Sequence, residues 1–149
     1  MEKTIDTDKK NAEFLVELHK NVQMAKLALE ILIPRTKNRA LKADLLNQYH
    51  DFEKLSNAIS GGLIELGYTP TTPTCRQVFM LKSAIKTSTI LNRSPKKLAD
   101  MVIQGDNKGI MDINRLINQC TFATDKSHNL ARIVLETEQS HIDTLKKYL

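Results

Sequence analysis

Four long stretches of this chain repeat apolar residues at the three-and-four spacing of an α-helix, and all four prolines fall between them or at their starts. That pattern restricts the chain to packed helices. The first stretch, about Lys9 to Ile33, lines up Phe14, Leu18, Val22, Ala25, Leu29 and Leu32, and Pro34 closes it. The second, about Asn38 to Leu66, carries Leu41, Leu45, Phe52, Leu55, Ile59 and Leu66, with Gly67 placed as its C-terminal cap. The connection between them is short, so they form an antiparallel hairpin. Ser94 followed by Pro95 is an N-cap with proline at the first helical position, opening a third long helix to about Cys120 through Leu98, Val102, Ile113, Leu116 and Ile117. The fourth starts near Asp125, read as its cap, and continues through Leu130, Ile133, Val134, Leu145 and Tyr148. Between the hairpins, Cys75 to Leu91 is a shorter helix with a broad apolar face, and strand signals are absent.

Residues 1–149 are the size of one domain with one core, and 41% apolar composition is enough to fill it. The expected fold is all-α, a four-helix bundle with an additional short helix in the crossover between the second and third long helices. The crossover makes those two helices parallel. A five-helix up-and-down bundle is the competing topology. No stretch has the roughly 18 apolar residues of a membrane span, and Met1 to Asp6 lacks a secretory apolar run, so the expected location is cytoplasmic. Cys75 and Cys120 have no Cys-x-x-Cys spacing and are read as reduced thiols.

Placing residues at 100° intervals shows which polar groups face inward. Glu138 and His141 lie on the apolar face of the fourth helix as a single Glu-x-x-His, Asp106 points inward from the third, and Gln48 from the second with Asp51 at its flank. Gln48 and Asp106 each lie roughly 15 Å into their helices, so these side chains share one cross-section. One reading is a polar core layer of Gln48, Asp106, Glu138 and His141 that fixes helix register. The other is one divalent metal, iron or manganese, held by Asp106, Glu138, His141 and Asp51. A two-metal centre needs a Glu-x-x-His on each of two helices and a Glu on each of the others, and the first helix offers only Asn21 and Met24 at the right height. His50, in Asn47-x-x-His50, projects to solvent, and His19 and His128 have no evident partners. Gly105 and Gly109 cost the third helix about 2 kcal/mol relative to alanine, which implies that a neighbouring helix, or else a ligand, approaches its backbone closely.

The stretches Met101 to Ile110 and Glu138 to Leu149 resemble recurring segments of the ferritin-like superfamily, and more narrowly of its small uncharacterised bacterial members. The resemblance implies a ferritin-like four-helix bundle, and ferritins oxidise or store iron. Here the motif residues persist clearly on the fourth helix alone. Mini-ferritins that protect DNA also carry a short helix in this crossover, and some bind DNA through basic extensions.

The net charge of +5 and pI near 9.2 reside in the crossover, where no acidic residue occurs between Glu65 and Asp100. Arg76, Lys82, Lys86, Arg93, Lys96 and Lys97 supply six positive charges there, leaving the remainder of the chain at −1. They form either a solvated outer face or a site for an anionic partner, membrane surface or nucleic acid. No phosphate loop or nucleophile motif is present. The residues favour a non-enzymatic bundle without cofactor, self-associating as a homodimer. Divalent-metal binding and anionic-partner binding are the alternatives.

Overall fold

Local capping chemistry sets where four of the five α-helices begin in the computed structural model, which describes residues 1–149 and contains helices and turns but no strand. α1 spans Glu2–Leu32 and passes through a 3-10 turn, Ile33–Arg35, into α2, Arg39–Glu65. The Asn38 side chain caps α2 by accepting from the Leu41 N–H at 2.9 Å. Gly67, at φ +79°, ends it as expected: the Tyr68 N–H returns to the Leu63 carbonyl and the Gly67 N–H to that of Ile64. α3 spans Cys75–Thr89 behind a Thr74/Gln77 capping box. α4, Pro95–Gln119, starts at the expected Ser94–Pro95 signal, with Ser94 Oγ accepting from Lys97 N–H at 3.2 Å. α5 spans Asp125–Leu145 and ends in a 3-10 turn, Lys146–Tyr148.

Two boundaries differ from the sequence reading. α1 begins at Glu2 rather than near Lys9, and its first nine residues, Glu2 to Lys10, are all exposed, so this added length projects beyond the core and leaves no apolar signal. The cap of α5 is Thr124, not Asp125. Thr124 Oγ1 accepts from the Ser127 N–H at 3.2 Å, while its own N–H donates to Asn11 Oδ1 of α1 at 3.0 Å, so a tertiary contact selects the cap.

The cross-helix bonds give the directions. Lys26 reaches Glu53 and Tyr49 reaches Glu30, so α1 and α2 are antiparallel. Asn11 bonds Thr124 and Asn21 bonds the Gly109 carbonyl, so α1 and α4 are antiparallel. α2 and α4 therefore run parallel. Lys126 meets Glu65 while Tyr148 meets Asp44, which sets α5 antiparallel to α2. α1, α2, α4 and α5 share one core in which Phe14, Leu18, Val22, Leu45, Phe52, Ile59, Leu98, Ile113, Val134 and Leu145 are buried. Ile133, placed in that core by its spacing, is exposed, one step off the buried stripe of Ala131, Val134 and Glu138. α3 packs chiefly on α1 and buries only Ile85 and Thr89, so it covers the bundle's flank and is no fifth member of the core.

Candidate ligand site between the first and fourth helices

Gln48, Asp106, Glu138 and His141 are all buried, as the helical projection requires. They do not form one network. His141 belongs to the α2–α5 side. Its Nε2–H donates to Asp51 Oδ2 at 3.1 Å, its ring meets Phe52 edge-on at 5.0 Å between centroids, and Gln48 Nε2 donates to its carbonyl at 3.4 Å. Burial lowers its pKa, so the ring is neutral despite its carboxylate neighbour. Asp51 is half-exposed and, with His141, lines a shallow cavity of about 400 Å³ opening between α2 and α5.

Asp106 and Glu138 face the opposite flank. Asp106 is 4% and Glu138 1% exposed, and neither side chain has a hydrogen-bond partner within the protein. Burial raises the Asp106 pKa to about 8. Burial, then the negative charges of Asp106 and Asp112, raises that of Glu138 to about 9. Both acids are held protonated at neutral pH, leaving Asp106 Oδ2 and Glu138 Oε2 unmatched.

The glycine pair of α4 makes this arrangement possible. A Cβ on Gly109 would lie 2.5 Å from Glu138 Oε1 and 3.1 Å from Oε2, so the close visitor is the carboxyl of Glu138 from α5. Gly105 has nothing within 4 Å and opens onto a groove of about 600 Å³ between α1 and α4, partly roofed by α3. Its walls are Met24, Ala28, Leu29, Leu81, Ile85 and Met101, and its polar end is Asn21, Asp106 and Glu138. Asn21 donates Nδ2–H to the Gly109 carbonyl at 3.3 Å, while its Oδ1 lacks a partner. At the rim, Lys20 pairs with Glu17 and Lys108 with Asp112.

The four side chains expected to share a metal thus divide into two pairs. No three His, Cys, Asp or Glu side chains converge on one point. What the groove offers is recognition: an apolar trough ending in three unmatched oxygens. Asn21 entered the sequence reading only by its height, and the missing signal was the groove itself, which depends on how α1 and α4 cross.

The sequence reading also missed His19. It is 1% exposed, and its Nε2 lies 3.0 Å from Ser60 Oγ, 3.2 Å from Ser56 Oγ and 3.3 Å from Gln23 Nε2, while its Nδ1 is buried without a partner. Burial lowers its pKa, so this ring also stays neutral. The spacings His19/Gln23 and Ser56/Ser60, one turn apart on two hairpin partners, were the available clue.

Of the crossover cations, Arg76, Lys82, Lys86, Arg93 and Lys96 are exposed, Lys97 is half-buried, and none forms an ion pair. No helix is long and apolar enough to cross a membrane. Comparison of the chain with protein-family models, curated proteins and solved structures finds no match.

Proposed function

We propose that this protein is a non-enzymatic, ferritin-like four-helix bundle that binds an amphiphilic organic cation, a protonated amine on an apolar body, in the groove between α1 and α4. The ferritin-like assignment draws support from two antiparallel hairpins joined by a crossover that leaves α2 and α4 parallel. The binding role rests on one observation: two buried carboxyls with unmatched oxygens end a groove of about 600 Å³ whose remaining walls are largely apolar. That volume suits a small organic ligand. An ammonium group donates to the Asp106 and Glu138 oxygens and favours their ionised forms, while its alkyl portion displaces water from Met24, Leu29 and Ile85. Because the acids are protonated beforehand, binding expels a proton and strengthens as pH rises from 6 towards 9.

Isothermal titration with hexylamine and hexanol, in buffers of different ionisation enthalpy, tests this. The amine is expected to bind with proton release, the alcohol at least roughly tenfold more weakly, and Asp106→Asn/Glu138→Gln to lose the preference. Equal binding of amine and alcohol, or an unchanged preference in the variant, refutes the reading.

A second reading has its own support. Asn21 Oδ1 is a third unmatched oxygen at the same end of the groove, and an all-oxygen set suits a hard divalent cation such as manganese. Elemental analysis of protein purified without chelator, beside Asp106→Asn, decides it. Stoichiometric metal in the parent and none in the variant is the expected signature.

A further inference from the structure

The bundle gathers two basic turns, far apart in sequence, at one end. α1 and α4 are antiparallel, as are α1 and α2, so the α1–α2 turn and the α3–α4 turn lie at the same end. The first contributes Arg35, Lys37, Arg39 and Lys42, and the second Arg93, Lys96 and Lys97. None of these seven is ion-paired with a carboxylate. The acids near them are engaged elsewhere: Asp44 with Lys147 and Tyr148, Asp143 with Lys146, Glu30 with Tyr49, and Asp100 with Gln104.

Just ahead of the cations of the α3–α4 turn stand two exposed aliphatic side chains, Ile90 at 69% and Leu91 at 97%. We infer that this end of the bundle docks on the surface of an anionic lipid bilayer, with Ile90 and Leu91 entering the acyl boundary and the cations of the two turns meeting lipid phosphates, Arg35 least of them because its guanidinium already donates to the Ile31 carbonyl at 2.6 Å. Exposed aliphatic groups at the same end as unpaired cations complement an interface that is apolar beneath and negative above. Single-stranded nucleic acid fits less well, because neither turn carries an aromatic ring to stack on bases, and a duplex offers no apolar layer for Ile90 and Leu91. The inference rests on different residues from the groove and stands independently of it. Each cation near such a surface strengthens partitioning roughly fivefold, and each buried aliphatic side chain roughly tenfold or more.

The test is co-sedimentation of the full chain with vesicles of phosphatidylcholine alone, or doped with phosphatidylglycerol. The parent is expected to partition onto the doped vesicles only, and to be released by raised salt. Ile90→Ser/Leu91→Ser is expected to weaken partitioning roughly a hundredfold. Lys37→Glu, in the other turn, reverses a charge and is expected to weaken it roughly 25-fold, and circular dichroism checks that both variants stay folded. Equal partitioning onto undoped vesicles, or none onto either, overturns the inference. So does parent-like binding by Ile90→Ser/Leu91→Ser, by Lys37→Glu, or duplex-DNA binding that outcompetes the vesicles and ignores the serine substitutions.

Discussion

At residue scale the decisive feature is that Asp106 and Glu138 are buried without partners while both histidines nearest the core are neutral. The acids have pKa values near 8 and 9 in the folded protein, far above those of the unfolded chain. The folded state therefore holds protons that the unfolded state has released, and stability from this source falls as pH rises from about 4.5 to about 9. His19 and His141 act oppositely, since the unfolded chain protonates them below about pH 6.5 and the folded one resists. Glu138→Gln mimics the protonated acid and isolates one contribution, because the histidine terms are common to parent and variant. The variant is expected to match the parent at pH 5 and exceed it by roughly 1–3 kcal/mol at pH 8. Denaturant midpoints at the two pH values measure this, and equal differences at both would refute the protonated assignment. That Asp106, Glu138 and His141 face inward was legible from helical spacing. Which flank each faces was not, because that depends on the crossing of α1 with α4 and of α2 with α5.

Among the elements, α4 shows most clearly how a local cost is tied to a tertiary role. Gly105 and Gly109 both weaken the helix, yet only Gly109 has a carboxyl against it. Gly105→Ala adds a methyl facing open groove and is expected to stabilise the protein by about 0.5–1 kcal/mol. Gly109→Ala gains the same backbone preference but drives Cβ into Glu138, so it is expected to yield no net stabilisation. Thermal unfolding of the two single variants separates the roles, and equal gains from both would show that Glu138 moves aside freely. Caps and proline signals made the starts of α2 and α4 readable because those contacts are local. The start of α1 and the Thr124 cap were not readable. One is an exposed helical extension without an apolar stripe, and the other is chosen by Asn11 from 113 residues away.

For the whole molecule, the long-range consequences of topology are what the linear sequence concealed. The net positive charge was traceable to the crossover, but the meeting of its last three cations with the α1–α2 turn emerges only when the helix directions are known. The same topology makes α3 the least anchored helix. It rests mainly on α1, buries only Ile85 and Thr89, and leaves Phe79 and Met80 in solvent. Amide exchange follows local opening wherever buried contacts are few. α3 is therefore expected to exchange well before α2, α4, α5 and the part of α1 from Asn11 onward, whose amides wait for global unfolding. Leu81 and Ile85 belong both to α3 and to the groove wall, so a bound amine joins α3 to Met101 and Leu29 across the ligand. Hydrogen exchange followed by mass spectrometry should show saturating hexylamine slowing α3 selectively, by the factor its occupancy dictates. Protection spread evenly over all five helices would instead mean that the ligand stabilises the bundle as a unit, and that α3 is no movable roof.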